Sequence, residues 1–243
     1  MRLTVIAIYG IMSSDRRKRT GCPAFKSGLM ACLEPNKDID EMKCLNLYCG
    51  IGGNRELWTD CEVTSVEYDP CISGVYAKRF PADEIITADA LGYVADHFRE
   101  FDFIWASPPC PTHGQLRHNI GVLGKGLDPV IPDMTSLYGL IVFLQTYFKG
   151  KWVVENVKPY YKPLITPSFE LQRHLFWANF TADHREFKPS LIREKGKISD
   201  FEQSFLLEGS GIKNKRQVLR NCVDRDLGLH VFEAARKSMD SQT

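Results

Sequence analysis

The chain has 243 residues, of which 44% are hydrophobic and 25% are charged, and its 31 basic and 30 acidic side chains give a net charge of +1. These values are typical of a globular domain with a sizeable core, and they exclude a wholly disordered chain. The small net charge excludes a strongly basic coat for nucleic acid but is compatible with a local basic face. Since no apolar run approaches the ~20 residues of a membrane helix, we expect no membrane contact.

Eight cysteines are spread along the chain without a Cys-x-x-Cys spacing, and no histidines bracket them as zinc ligands would. A chain of this size with an ordinary apolar fraction does not need a disulfide framework. The cysteines therefore predict a reducing, cytoplasmic compartment, free thiols and no metal site.

Residues 1–41 differ from the rest of the chain. Leu3 to Met12 form a short apolar run, which is followed by a polar, basic stretch without a signal-peptide cleavage site. We expect an N-terminal extension here, either a short strand or a disordered segment. All the residues that suggest chemistry follow Met42.

From Lys43 onward, short apolar runs alternate with longer amphipathic ones. The apolar runs predict strands at 44–48, 63–67, 84–87, 101–106 and 152–155. The amphipathic runs predict helices that begin near Asn54 and that cover 72–80, 90–98 and 135–148. This alternation predicts an α/β fold in which helices cover both faces of a parallel sheet. In such a sheet, ligands bind beyond the carboxyl ends of the strands.

A long stretch between Pro111 and Pro132 has four glycines and little periodicity. Such a stretch inside a compact domain predicts a loop that closes over a ligand. Its polar residues are available to contact what the loop covers, although a solvated loop explains them equally well. These residues are His113, Gln115, Arg117 and His118.

Three features at the ends of the first three strands indicate a nucleoside-shaped slot. Leu47 to Gly53 is rich in glycine, which lets the backbone approach a ligand, and a following helix would offer unpaired N–H groups. Glu67 is placed to accept hydrogen bonds from ribose hydroxyls, and Asp89 from an adenine amino group. Each feature also has a plainer interpretation, namely turn geometry, a solvated carboxylate and a helix N-cap.

The fourth and fifth strands end in residues suited to covalent chemistry. Cys110 follows two prolines that keep the backbone extended, so we expect it to be a nucleophile at the rim of the slot. Glu155 ends the neighbouring strand, where desolvation would raise its pKa and suit it to proton transfer. The alternatives are a buried apolar cysteine and a strand-end carboxylate that caps the next segment.

In this order, the glycine-rich turn, Glu67, Asp89, Pro-Pro-Cys and Glu-Asn-Val resemble the motifs of the cytosine-C5 DNA methyltransferases. The likeness extends over about residues 43–235 and is closest to short, orphan-like members from bacteriophages and bacteria. Those members have stretches similar to NLYCGIGGNRELW, FDFIWASPPCPTH, RHLFWANF and KRQVLRNCV.

The resemblance implies a Rossmann-like sheet of the S-adenosylmethionine-dependent methyltransferases with a small, reduced target-recognition lobe. It implies a catalytic and cofactor-binding core at 42–180, a target-recognition region at 181–214 and a C-terminal segment, 215–243, that returns to the core.

The resemblance also implies S-adenosylmethionine as cofactor. Glu67 would take its ribose hydroxyls and Asp89 its adenine amino group. The remaining residues that the resemblance assigns to the cofactor site are Tyr48, Gly50, Ile51, Gly53, Pro109 and Asn221.

The implied substrate is double-stranded DNA with one cytosine flipped out of the duplex. Cys110 would add to C6 of that cytosine, Glu155 would contact N3 and the N4 amino group, and Arg173 would touch O2. Thiolate addition at C6 makes C5 nucleophilic enough to take the methyl group.

The sequence departs from the family pattern at several positions. Asn46 stands where the family usually has Asp, Pro111 stands where it has Gln, and Arg220 where it has Gly. Only about 35 residues separate RHLFWANF from KRQVLRN, which is short for a target-recognition region. Specificity is therefore simple, or the loop and the N-terminal extension assist it, or a partner protein supplies it.

Other functions remain open on the same residues. An RNA cytosine-C5 methyltransferase would present the same flipped base, and a catalytically inactive DNA-binding protein would keep the fold without turnover. An enzyme that methylates exocyclic amino groups is disfavoured, because it needs neither the thiol of Cys110 nor a following Glu-Asn-Val.

Overall fold

A seven-stranded β-sheet forms the centre of the protein, for which a computed structural model describes residues 41–114, 118–119, 131–187 and 204–241. The strands are β1 (Met42–Leu47), β2 (Cys61–Glu67), β3 (Glu84–Thr87), β4 (Phe103–Ala106), β5 (Lys151–Val157), β6 (Phe169–Leu171) and β7 (His174–Ala178). The helices are α1 (Pro70–Arg79), α2 (Ala90–His97), α3 (Leu140–Tyr147), α4 (Lys215–Asn221) and α5 (Arg225–Asp240). The predictions for residues 1–40 and for most of the loop 111–132 lie outside the described residues.

The strand order is β3-β2-β1-β4-β5-β7-β6. Strands β1 to β5 are parallel to one another, whereas β7 runs antiparallel to both β5 and β6. The predicted parallel α/β sheet is thus confirmed for five strands, whose carboxyl ends meet at one edge. The strand order reverses between β1 and β4, which is where doubly wound sheets leave a crevice for ligands.

Alternate side chains of the sheet enter two hydrophobic cores, one on each face. On one face, Trp105 of β4 packs with helix α5. Phe232 of this helix stacks on Trp58, and the two ring centroids are 4.7 Å apart. On the other face, Ile104 packs with apolar residues of α2 and α3. Burying a large apolar side chain stabilises the fold by about 1.5–3 kcal/mol. Burial on both faces therefore fixes the sheet that carries the functional residues.

The helix predicted to begin near Asn54 is wrong, because residues 51–57 form a series of turns. Asn54 is buried, and its Nδ2 donates a hydrogen bond to Oδ1 of the buried Asn46 at 2.9 Å. Gly53 approaches Val223 so closely that a Cβ would lie 2.3 Å from the Val223 carbonyl oxygen. These tertiary contacts override the local helical pattern.

The C-terminal segment forms two helices, α4 and α5, whereas the sequence predicts only a return to the core. Asp224 caps α5 by accepting hydrogen bonds from the N–H groups of Asp226 and Leu227 at 3.0 and 3.2 Å. Leu227 and Phe232 then pack against the sheet. None of the helices in the described part of the chain combines the length and apolarity that a membrane crossing needs.

Two helical glycines offer a matched test of how α5 packs on the glycine-rich turn. A Cβ at Gly228 would lie 2.4 Å from the carbonyl oxygen of Asn54, whereas a Cβ at Gly74 in α1 would meet no atom within 4 Å. We expect Gly228→Ala to lower the free energy of unfolding by about 1–3 kcal/mol, because the backbone must move. Gly74→Ala should raise it by about 0.5–1 kcal/mol through helix propensity. Urea unfolding followed by circular dichroism measures both changes, and equal effects would contradict this packing.

Candidate active site

A cleft of about 700 Å³ opens at the carboxyl ends of β4 and β5, with helix α4 forming a further wall. The lining residues that carry chemistry are Cys110, Glu155, Arg173, His174 and Asn221. The sequence motifs predict all of them except His174, and folding brings them together from distant segments. A volume of this size is ordinary for a site that takes a small molecule or a single nucleotide.

The segment that carries Cys110 is held on both sides. Before it, Nδ2 of the buried Asn156 donates to the carbonyl oxygen of Pro108 at 3.0 Å. After it, the N–H groups of His113 and Gly114 donate to the carbonyl oxygen of Cys110 at 3.0 and 3.1 Å. Because the prolines also restrict the backbone, the thiol keeps a fixed position at the cleft wall.

The Cys110 thiol is a weak acid in this environment. Its Sγ lies 3.7 Å from Oδ1 of Asn221 at the end of α4. Burial, followed by the negative charge of Glu155, raises the pKa of Cys110 to about 11, while the positive charge of Arg173 acts in the opposite direction. The thiol is therefore almost wholly protonated at neutral pH, so attack as a nucleophile requires the loss of its proton.

Glu155 is the carboxylic acid of the cleft. It lies on β5 with 5% of its surface exposed, and burial raises its pKa to about 7. The Ser107 hydroxyl and the charge of Arg173 oppose that rise. Near neutral pH the carboxyl group is present in both protonated and ionised forms, as a group that transfers protons should be.

Arg173 stands at the edge of the cleft rather than inside it. It lies in the turn between β6 and β7 and is exposed, and its Nη2 donates to the carbonyl oxygen of Arg220 at 2.9 Å. Its positive charge lowers the pKa of both Cys110 and Glu155. The structure thus brings Arg173 to the predicted site, where its charge favours the ionised forms of both acids.

The sequence motifs assign no role to two buried polar residues of the cleft, His174 and Asn156. Asn156 holds the Pro108 carbonyl, as described above. His174 is 5% exposed, and its Nε2 lies 3.6 Å from Oε1 of Glu155. The only signal for His174 in the sequence is a single polar residue at the start of the apolar strand HLFWA.

A second group of predicted residues lies at the glycine-rich turn after β1. Tyr48 and Gly50 both have a φ of 55°, a left-handed conformation that only glycine adopts freely. The N–H of Gly50 donates to Oε2 of Glu67 at 3.0 Å, and the N–H of Asp69 donates to Oε1 at 3.0 Å. The Glu67 carboxylate is therefore fixed beside the turn, with burial raising its pKa.

Three other residues predicted to touch the cofactor have structural roles here. Ile51 is 2% exposed, and its carbonyl oxygen accepts a hydrogen bond from Arg79 at 2.7 Å. Gly53 packs against the C-terminal segment. Asp89 caps helix α2 by accepting from the N–H of Gly92 at 2.8 Å. Their contact with a cofactor stays a prediction.

The chemistry of this corner fits S-adenosylmethionine. The ribose hydroxyls and the adenine amino group are hydrogen-bond donors, and the carboxylates of Glu67 and Asp89 keep acceptor capacity beyond the bonds they make to backbone. A Cβ at Gly50 would meet no protein atom within 4 Å, so the turn leaves open space there.

His113 is only 1% exposed, so it is not the solvated loop residue that the sequence left open as one alternative. Its ring nitrogens are within hydrogen-bond distance of the Tyr161 hydroxyl and the Asp133 carbonyl oxygen, so it anchors one end of the loop. His118 stacks on Tyr160 with ring centroids 4.0 Å apart. Gln115 and Arg117 lie outside the described residues.

The fold and the site define a class of protein. Five parallel strands followed by the antiparallel β7 make the Rossmann-like sheet of the S-adenosylmethionine-dependent methyltransferases, as predicted.

Residues 42–125 match the model of the family described as C-5 cytosine-specific DNA methylase. This match confirms the resemblance seen in the sequence. It indicates a methyltransferase whose cofactor is S-adenosylmethionine. None of the curated proteins matches the chain.

Solved structures give partial likenesses. DNMT2 from Spodoptera frugiperda, solved as a mutant, is 28% identical over 48% of this chain and 36% of its own, with a TM-score of 0.36. A putative prophage-encoded DNA modification methyltransferase from Escherichia coli is 19% identical over 50% of this chain and 33% of its own, with a TM-score of 0.29. The S-adenosylmethionine-dependent methyltransferase from Agrobacterium tumefaciens is 16% identical over 51% of this chain and 41% of its own, with a TM-score of 0.35. The chain thus spans less than half of each of these three solved chains.

The raised pKa of Glu155 predicts a pH-dependent cost to stability. Its pKa is about 7 in the folded protein against an ordinary 4.5, so the cost is absent below pH 4.5 and complete above pH 7. We therefore expect Glu155→Gln to stabilise the protein by about 1–3 kcal/mol more at pH 8 than at pH 5. Urea unfolding at the two pH values measures the difference. Glu62→Gln, which changes an exposed glutamate on β2, is the control, and an equal effect of Glu155→Gln at both pH values would contradict the raised pKa.

Proposed function

We propose that this protein transfers a methyl group from S-adenosylmethionine to C5 of a cytosine in double-stranded DNA. The observation that supports this most directly is that the Cys110 thiol and the partly protonated carboxyl group of Glu155 share one cleft. A nucleophile and a proton donor beside the same base are what addition to a pyrimidine ring requires. The family match over residues 42–125 supports the same reaction.

Cys110 and Glu155 each take part in this reaction. Cys110 loses its proton to solvent, and its thiolate forms a bond to C6 while protonated Glu155 donates to N3. This addition would place electron density on C5, which would form a bond to the methyl group as the bond between that group and the sulfonium sulfur breaks and leaves a neutral thioether. Loss of the C5 proton to water and cleavage of the C6–S bond then restore the aromatic ring and the thiolate. N3 returns its proton to Glu155, so the protein ends unchanged.

The charges of the cleft favour these steps. Arg173 lowers the pKa of Cys110 and so stabilises the attacking thiolate. A protonated Glu155 is neutral, which removes the negative charge that raises the pKa of Cys110. The protonated form of Glu155 therefore favours thiolate formation and is also the form that can donate to N3.

The glycine-rich turn would hold the cofactor. Glu67 and Asp89 would accept hydrogen bonds from its ribose and adenine, while Asn221 and Pro109 lie on the wall of the cleft beside Cys110. Bound S-adenosylmethionine supplies an electrophilic methyl group on a sulfonium. The protein's own contribution is to keep Cys110 and this turn at the same edge of the sheet.

A nucleic acid substrate agrees with the basic residues around the cleft. Lys158, Arg173 and Arg216 line it, and cations at this rim would meet the phosphates on either side of a flipped base. Unstacking that base costs a few kcal/mol, which contacts to phosphate help to offset.

The reaction is tested by mass spectrometry of nucleosides from unmethylated DNA after incubation with the protein and S-adenosylmethionine. We expect 5-methylcytosine with the wild type and none with Cys110→Ala, because the C6 adduct cannot form. Cys71→Ala, which changes an exposed cysteine in α1, is the matched control and should keep activity. An equal sample of RNA is treated in parallel.

Each outcome of that experiment decides between functions. Methylation of RNA alone would replace the proposal with an RNA cytosine-C5 methyltransferase. Methyl groups on N4 or N6 would contradict the role of Cys110. Cofactor binding without any methyl transfer would point to an inactive DNA-binding protein.

The role of Glu67 is tested by cofactor binding. Glu67→Gln removes the charged acceptor next to Gly50, and we expect the Kd of S-adenosylmethionine to rise about tenfold or more, since hydrogen bonds to a charged group contribute about 1.5–3 kcal/mol. Isothermal titration calorimetry measures the Kd, with Glu62→Gln on the same strand as control. An unchanged Kd in Glu67→Gln would remove Glu67 from the cofactor site.

A further inference from the structure

We propose that His174 is a positioning residue for Glu155: its neutral imidazole donates a hydrogen bond from Nε2 to the carboxyl group and stabilises the ionised form. This proposal rests on the proposed function only in giving Glu155 a catalytic role. Its test, described below, is made on the protein alone and does not require methyl transfer.

Strand pairing places the two side chains on the same face of the sheet. In the antiparallel ladder of β5 and β7, Glu155 pairs with Phe176 and Val157 pairs with His174. His174 and Glu155 are therefore diagonal neighbours, which long side chains can bridge. Their nearest atoms, Nε2 and Oε1, are 3.6 Å apart, and the two side chains are only 6% and 7% exposed.

The distance is longer than a hydrogen bond, so the proposed bond requires a small movement of one of the two side chains. Glu155 is on a central strand, while His174 is the first residue of β7 and follows an exposed turn. His174 is therefore the partner with freedom to adjust.

The imidazole is neutral over the working range of pH. Burial, followed by the charge of Arg173, lowers the pKa of His174 to about 3. Its Nδ1 is buried and has no hydrogen-bond partner among the described residues. An unpartnered acceptor is tolerated better than an unpartnered buried N–H. The proton is thus best placed on Nε2, where it faces Glu155.

Several other charged or titratable groups lie around this pair, and the Ser107 hydroxyl also bonds to Glu155. Arg173 is exposed at the rim and bonded to the backbone of α4, and Lys158 pairs with Glu170. The remaining groups around the cleft are Cys110 after β4 and Arg216 and Arg220 on α4. Within the described residues, His174 is the one imidazole that lines the cleft.

Two isosteric substitutions separate the role of Nε2 from the general effect of changing the residue. In His174→Gln the amide nitrogen can occupy the place of Nε2 and still donate to Glu155. In His174→Asn the amide reaches only the place of Nδ1, so the donor is lost. Loss of a donor to the carboxylate should raise the pKa of Glu155.

The measurement is the rate at which iodoacetamide alkylates Cys110 in the protein without ligands, followed by peptide mass spectrometry from pH 5.5 to 9. Ionised Glu155 suppresses the thiolate, so the logarithm of the rate bends where Glu155 titrates, near pH 7. We expect the bend at the wild-type pH in His174→Gln and about half a pH unit or more higher in His174→Asn. His174→Met, which also lacks a donor, should behave as His174→Asn does.

Two controls identify the origin of the bend. Glu155→Gln should remove it, and adding His174→Asn to Glu155→Gln should then change nothing further. His97→Gln breaks an exposed histidine–glutamate contact outside the cleft, where Nδ1 lies 2.9 Å from Glu100, and should leave the bend in place. The proposal is overturned if His174→Asn and His174→Met keep the wild-type bend, or if His174→Gln displaces it as far as they do.

Discussion

The parallel register between β4 and β5 is the constraint on which the cleft depends. Ala106 lies opposite Val154, so the next residues along each strand, Ser107 and Glu155, leave the sheet side by side. One residue further, Asn156 bonds to the carbonyl oxygen of Pro108 at 3.0 Å and extends that register beyond the last strand pair. Cys110 therefore comes off the sheet at a fixed offset from Glu155. If the register between the two strands shifted by one residue, Glu155 would point to the opposite face of the sheet, and its carboxyl group would no longer line the cleft.

Glu155 makes the Cys110 thiol a weaker acid. Each is buried, and the negative charge of Glu155 raises the pKa of Cys110, so placing both charges there together is costly. Arg173 reduces this cost from the rim but does not cancel it, because it is exposed and screened by water. Near neutral pH the resting cleft therefore holds the thiol as a neutral acid and the carboxyl group in both its protonated and ionised forms. In the proposed reaction, N3 of a pyrimidine takes the proton of Glu155 while C6 takes the thiolate of Cys110.

The chemistry of the site was more predictable from the sequence than its geometry. Cys110 and Glu155 follow apolar runs that could only be central strands, and parallel strands bring their ends to one edge. The helix expected near Asn54 fails because Asn54 bonds to Asn46, a contact that no local pattern contains. His174 is missed for a similar reason: its proximity to Glu155 comes from the pairing of β5 with β7. Sequence periodicity shows which side chains are buried, but it does not show which strand a side chain lies beside.

The C-terminal segment connects the nucleophile with the glycine-rich turn. Asn221 contacts Cys110, and the next two residues, Cys222 and Val223, lie where a Cβ at Gly53 would come within 2.3 Å of both. Three consecutive residues thus touch both halves of the site, and helix α5 anchors them to the sheet through Phe232. Because these contacts allow almost no free volume, the glycine-rich turn and the residues beside Cys110 fix one another's positions. The geometry of the nucleophile therefore depends on the packing of the C-terminal segment as well as on the register of the sheet.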